Sequence, residues 1–255
     1  MIDPLASFKV YNIIPIHILG LDLSITNSSL YMLLVVGCIC IICMLGLKNE
    51  SIIPSKWRYC LEKFYFFITD VVTQQIPERA TKVFPLIFAL FLFISLGNII
   101  GLLPGAFSFT TQLIVTMGMA FIIWVSSIVI GFFVQGKHFF KHFCPDGIPV
   151  YIAPFFIIVE IMSFCFRPIS LGIRLFANML SGHIMIEVMA SFAVALAGHY
   201  VIDSAGTIPV LVNVFLNVFK LLVCVLQAYV FSVLSCIYLG EALEMSDNKK
   251  DEIVN

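Results

Sequence analysis

Residues 150–198 read VYIAPFFIIVEIMSFCFRPISLGIRLFANMLSGHIMIEVMASFAVALAG. This is an apolar run of nearly fifty residues, and uninterrupted apolar sequence of 18 or more residues marks a membrane span. A second long run follows at 208–240, after a short polar loop from His199 to Thr207. A helix rises about 1.5 Å per residue, against a hydrocarbon core of about 30 Å. The run 208–240 would therefore make a helix of roughly 50 Å, and 150–198 a longer one. Upright spans of that length do not fit, so both must tilt steeply, kink, or run partly along the interface. Pro168 supplies one place to kink, because it lacks an N–H and crowds the preceding turn.

The rest of the chain agrees with that solvent. Of 255 residues, 61% are hydrophobic and 11% charged; a soluble domain carries about 25% charged residues. The net charge of -1 supplies no basic field for nucleic acid. Residues 1–28 read as an outer aqueous segment and 29–47 as a first span. Residues 57–76 mix aromatic and charged side chains and read as an amphipathic helix at the membrane surface. Spans at 83–103 and 111–134, joined by the short uncharged link 104–110, make a hairpin. Residues 241–255 form a charged tail, expected to be disordered. The fold class is thus an all-α membrane protein, a single membrane domain with about five embedded helices and one amphipathic helix. With the N-terminus outside, ten of the fourteen Lys and Arg fall on the inner side and only Lys9 outside. That asymmetry sets the N-terminus outside and the C-terminus in the cytoplasm.

Six of the eight cysteines lie in apolar runs and read as small buried hydrophobes. Cys40 and Cys43 form a CxxC with no second pair or histidine to complete a metal set, and His138 and His142 stand beside two lysines as solvated residues. No metal, cofactor or catalytic residue is expected, and the N-terminus does not read as a signal peptide.

Charges inside the long runs are the informative exceptions. Each costs about 2.5–3.5 kcal/mol at the bilayer centre on insertion scales, and such residues usually mark an ion path. Here they are Glu160, Arg167, Arg174, Glu187 and Lys220. Glu160, Ser163, Arg167, Ser170, Arg174, Asn178 and Ser181 recur at intervals of three and four, which predicts one helix face. Asn213, Asn217, Lys220, Cys224 and Gln227 repeat the pattern in the last run. Simpler readings stand beside each. Arg167 can snorkel to the interface, Glu187 and Lys220 can neutralise each other, and Asn178 and Gln227 can be interhelical hydrogen-bonding groups. His183 can be a packed neutral imidazole or a proton carrier.

RPISLGIRLFANMLSGH (167–183) resembles the signature of the ATP synthase subunit a family. LQAYVFSVLSCIYLGEA (226–242) resembles that family's last helix, and NIIGLLPGAFSFTTQLIVT (98–116) its middle hairpin. The N-terminal segment through IPIHI is similar to alphaproteobacterial and mitochondrial members, so the resemblance covers essentially the whole chain. It implies two long, steeply tilted helices against a rotating ring of subunit c. It puts the essential arginine at Arg174 and further proton-path roles at Glu160, Asn178, His183 and Gln227. Ser170, Glu187, Asn217 and Lys220 complete the candidate set for the two half-channels. Partners implied are the c ring, the subunit b peripheral stalk, other ATP synthase subunits and membrane lipid, in a bacterial inner membrane or, alternatively, a mitochondrial one. In related members the position of Lys220 usually holds Glu or His, and that of Glu187 often holds Lys. Both have changed sign here, which predicts a charge-swapped Glu187–Lys220 pair.

The competing class is a secondary ion transporter, against which stands the lack of an inverted hydropathy repeat. An intramembrane enzyme would need a motif such as HExxH, and none is present. There is also no Walker A sequence, so nucleotide chemistry belongs to partner subunits.

Overall fold

The structure, a computed structural model, describes residues 9–15, 17–18, 21–22, 24–47, 56–77, 80–103, 105–135, 151, 153–199 and 207–244. The predicted histidine-bearing loop at 137–146, the polar loop through 201–206 and the tail beyond Glu244 lie outside these residues. Among the described residues six long helices dominate: α1 (Asn27–Leu47), α2 (Lys56–Gln75), α3 (Ala80–Gly101), α4 (Leu113–Gln135), α5 (Ala153–His199) and α6 (Thr207–Glu244). All of these except α2 are long and apolar enough to cross a membrane. This is an all-α membrane fold, because helices satisfy their own backbone hydrogen bonds where water is absent.

Before α1 the chain makes two nested antiparallel pairs, which the sequence did not foretell. β1 (Asn12–Ile14) pairs with β4 (Ile25–Thr26), and β2 (His17–Ile18) with β3 (Leu21–Asp22). This small hairpin delivers α1 a capped start. The Thr26 N–H donates to Ser29 Oγ at 3.0 Å, and the Ser29 N–H donates to Thr26 Oγ1 at 3.3 Å. Two donors at the helix entrance are thereby satisfied reciprocally.

Two compact units share the long helices. The first gathers residues up to Tyr59 with Phe91–Leu113 and Leu175–Tyr229. Its core includes Val35, Phe91, Ile94, Phe109, Leu175, Met179 and Cys224. A one-turn 3-10 helix, Phe109–Thr111, follows α3. The Thr111 hydroxyl donates to the Ser108 carbonyl at 2.6 Å, and the Ser108 and Thr110 hydroxyls lie 3.1 Å apart. Hydroxyls thus supply part of the hydrogen bonding that this buried non-helical backbone requires.

The second unit holds Cys60–Leu90, Ile114–Arg174 and the chain from Val230 onward. Here α2 buries Ile68, Val71 and Val72, with Ile76 just past its end, while Lys63, Phe66, Phe67 and Asp70 stay exposed. Its Tyr65 ring meets Phe84 of α3 edge-on at 4.7 Å. The C-terminal part of α6 buries Phe231, Ser235, Leu239 and Leu243, a four-residue period that records one inward face.

Candidate functional site

The polar groups of α6 fall together. Asn213, Asn217, Lys220, Cys224 and Gln227 span about 80° of helix circumference at 3.6 residues per turn, and all are buried or half-buried. The opposite side of the same stretch exposes Leu211, Phe215, Val218 and Leu222. Within the first unit this polar face meets α5. Asn178 Nδ2 donates to Gln227 Oε1 at 3.4 Å, and the Cys224 thiol lies 3.7 Å from Met179 Sδ. From α3, Asn98 donates its amide N–H to the Cys224 carbonyl at 3.4 Å. Asn98 is 1% exposed and was absent from the sequence-derived set; the signal was there, as a lone amide in an otherwise apolar run.

Lys220 is the most unusual of these residues. Its side chain is 5% exposed, yet Nζ has no hydrogen-bond partner. Its stem lies over Gly182: a Cβ at that position would come within 3.0 Å of Lys220 Cε, so glycine is what allows the passage. Glu187 Oε2 and Asn213 Oδ1 are likewise buried without a hydrogen-bond partner. The expected Glu187–Lys220 contact is therefore not made as a hydrogen-bonded ion pair.

Beside this cluster opens a cavity of about 790 Å³, lined by His183 and Glu187 from α5 and by Asn213 and Asn217 from α6. Asn27 and Tyr31 of α1, together with Gly101–Leu103 and Phe107, complete much of its wall. Buried polar atoms lacking protein partners usually find water when the site is polar and roomy. A space of this size, rimmed by an imidazole, a carboxylate and two amides, meets both conditions.

The polar stripe of α5 is one face whose two edges differ in exposure. Ser163, Ser170, Arg174 and Ser181 are exposed, whereas Glu160, Arg167 and Asn178 are half-buried. At about 100° per residue the first group lies at one edge of an 80° arc and the second at the other. One edge can therefore be turned inward while the other is left uncovered. Within the second unit Arg167 forms an ion pair with Glu241 of α6 and stacks over Phe164 and Tyr238, with centroid distances of 5.7 and 5.4 Å. Arg167 thus has a carboxylate and two ring faces within the protein.

The ATP synthase A chain family matches residues 29–240.

The chain belongs to that family.

A protein named ATP synthase subunit a from Afipia carboxidovorans is 40% identical over 245 residues, covering 95% of this chain and 98% of its own length. The protein of that name from Parvibaculum lavamentivorans is 41% identical over 243 residues, 95% of this chain and 94% of its own. One from Marchantia polymorpha is 38% identical over 248 residues, with 95% and 98% covered.

Proposed function

We propose that two aqueous half-channels, separated by Arg174, carry protons past this chain to and from a rotating ring. As a member of the ATP synthase A chain family, the chain is the proton-translocating stator subunit of the F0 sector. It belongs to the ATP synthase complex and is a multi-pass protein of the bacterial inner membrane. The finer assignment rests on one observation above the others. The buried, incompletely hydrogen-bonded groups of α5 and α6 adjoin a cavity, while the Arg174 side chain on the same α5 is exposed.

The N-terminus faces outward, and the cavity at His183, Glu187, Asn213 and Asn217, with Lys220 beside it, is the outer half-channel. Protons entering there neutralise a carboxylate on a subunit c ring. A neutral carboxyl can then face lipid, because it no longer bears the burial cost of a charge. After nearly a full turn it reaches the inner half-channel, which Glu160, Ser163 and Ser170 line. There the guanidinium of Arg174 favours the ionised carboxylate, so the proton leaves. Its fixed positive charge also opposes direct proton passage between the two vestibules. Arginine suits this post because it stays ionised at any working pH, where a buried lysine could be neutralised. Asn178 and Gln227 brace the crossing of α5 and α6 near the arginine. The driving force is about 2.3 kcal/mol per charge for each 100 mV. The exposed edge of α5 faces the ring, and the subunit b stalk holds the chain against rotation.

Vesicles containing the assembled complex test this directly. Arg174→Ala should abolish ATP-driven proton pumping and open a passive leak. Normal pumping by that variant would refute the assignment.

A further inference from the structure

Pro168 lies inside α5, where it cannot donate the backbone hydrogen bond that residue 168 would normally give to the carbonyl four residues earlier. That carbonyl belongs to Phe164. The indole N–H of Trp124, on α4, donates to that oxygen at 3.1 Å. The two rings also pack, with centroids 5.6 Å apart. In a lipid-embedded helix a carbonyl released by proline must be re-satisfied from a neighbouring helix or from water. The side chain that does so here is one of only two tryptophans in the chain.

We infer that Trp124 is a positioning residue, whose indole N–H replaces the bond withheld by Pro168 and so fixes the α5 segment that carries Arg167 and Arg174.

Two further contacts place the segment around this point. Eight residues along α5, Gly172 sits so close to α4 that a Cβ would approach Met117 Cα to 3.0 Å. Trp124 and Met117 are seven apart on α4, so the two helices are registered at two places two turns from each other. On α5 itself, Arg167 is held between the Phe164 and Tyr238 rings and paired with Glu241. The Phe164 carbonyl and ring thus belong to the same fixture as Arg167. A proline opening in a helix is a natural point of bending. The indole closes it with a directional bond, so the azimuth of the following two turns is set by α4. The bond stands whatever the protein does; its consequence for Arg174 rests on the function proposed above.

The test is a double-mutant cycle on the full chain in its assembled complex. Trp124→Phe keeps an aromatic ring but removes the N–H. Pro168→Ala restores a backbone donor to the Phe164 carbonyl. We expect Trp124→Phe to shorten the half-life of the heated, detergent-extracted complex about two- to tenfold, the worth of one neutral hydrogen bond. In the Pro168→Ala background the same change should shift it by less than about twofold. Equal losses in both backgrounds would overturn the assignment. If Trp124→Phe alone prevents assembly, rescue by Pro168→Ala supports the inference and lack of rescue refutes it. Pumping and passive leak, read on the same four proteins, address Arg174 separately. Uncoupling in Trp124→Phe that Pro168→Ala corrects supports the positioning role. A stability cycle that behaves as expected with unaltered coupling would leave the hydrogen bond in place and eliminate the consequence for Arg174.

Discussion

Two charged clusters on the same pair of helices are built on opposite plans. In the second unit Arg167 has a carboxylate, two aromatic faces and a neighbouring ring-and-carbonyl contact from Trp124. In the first unit Lys220 Nζ and Glu187 Oε2 are buried with no hydrogen-bond partner, beside a cavity. A charge matched by protein contributes a fixed geometry. A charge left for water to satisfy contributes a hydrated path, because desolvating it unpaired would cost too much. On the function proposed above, the Lys220–Glu187 cluster serves the proton path, whereas the Arg167 cluster holds α5 and α6 together.

The largest expected effects test the first half of that contrast. Glu187→Ala and Lys220→Ala should each cut pumping by about an order of magnitude, a barrier change of only about 1.4 kcal/mol. The amount of assembled complex should change less than pumping does, since Lys220 Nζ and Glu187 Oε2 make no hydrogen bond that the fold uses. Restoration of pumping in Glu187→Lys/Lys220→Glu would show that the two charges are coupled. A double swap that pumps worse than either alanine variant would remove that coupling.

The second cluster should respond in the reverse sense. Glu241→Ala leaves the half-buried Arg167 without its carboxylate and should destabilise the chain by about 1.5–3 kcal/mol. The lower end is expected, because the Glu241 side chain is 37% exposed. Thermal dissociation of the complex measures it, and pumping per assembled complex should hold. Should Glu241→Ala leave stability intact and abolish pumping, the contrast between the clusters collapses. The smallest effect belongs to the amide pair. Asn178→Leu or Gln227→Leu removes a long interhelical hydrogen bond, and such bonds average about 0.6 kcal/mol in membranes. A stability loss well above that value would mean that the pair carries more of the α5–α6 crossing than its 3.4 Å separation implies.

The membrane class, the long helices and the family were legible because lipid imposes a one-dimensional rule. Apolar length sets what can span, and each charge within such a run, Arg174 above all, stands out against it. The candidate residues were legible as a list for the same reason. Their surroundings were not. The α5 stripe is narrow enough to read as one face, yet Ser170 and Arg174 are exposed while Arg167 and Asn178 turn inward. Periodicity records which side of a helix is polar and says nothing of what covers each edge. Asn98, Trp124 and Glu241 escaped notice because their partners lie far off in sequence: Cys224 at 126 residues, Phe164 at 40 and Arg167 at 74.

Apolar length and isolated charges, both properties of the chain itself, place this protein in a bilayer, give it five described helices long enough to cross, and set an arginine deep within apolar sequence. Tertiary structure alone decided which charges find protein partners and which do not, and where the cavity opens. The reason is physical. Hydrophobicity acts residue by residue along the chain, whereas hydrogen bonds and ion pairs exist only between groups that packing has brought within about 3 Å.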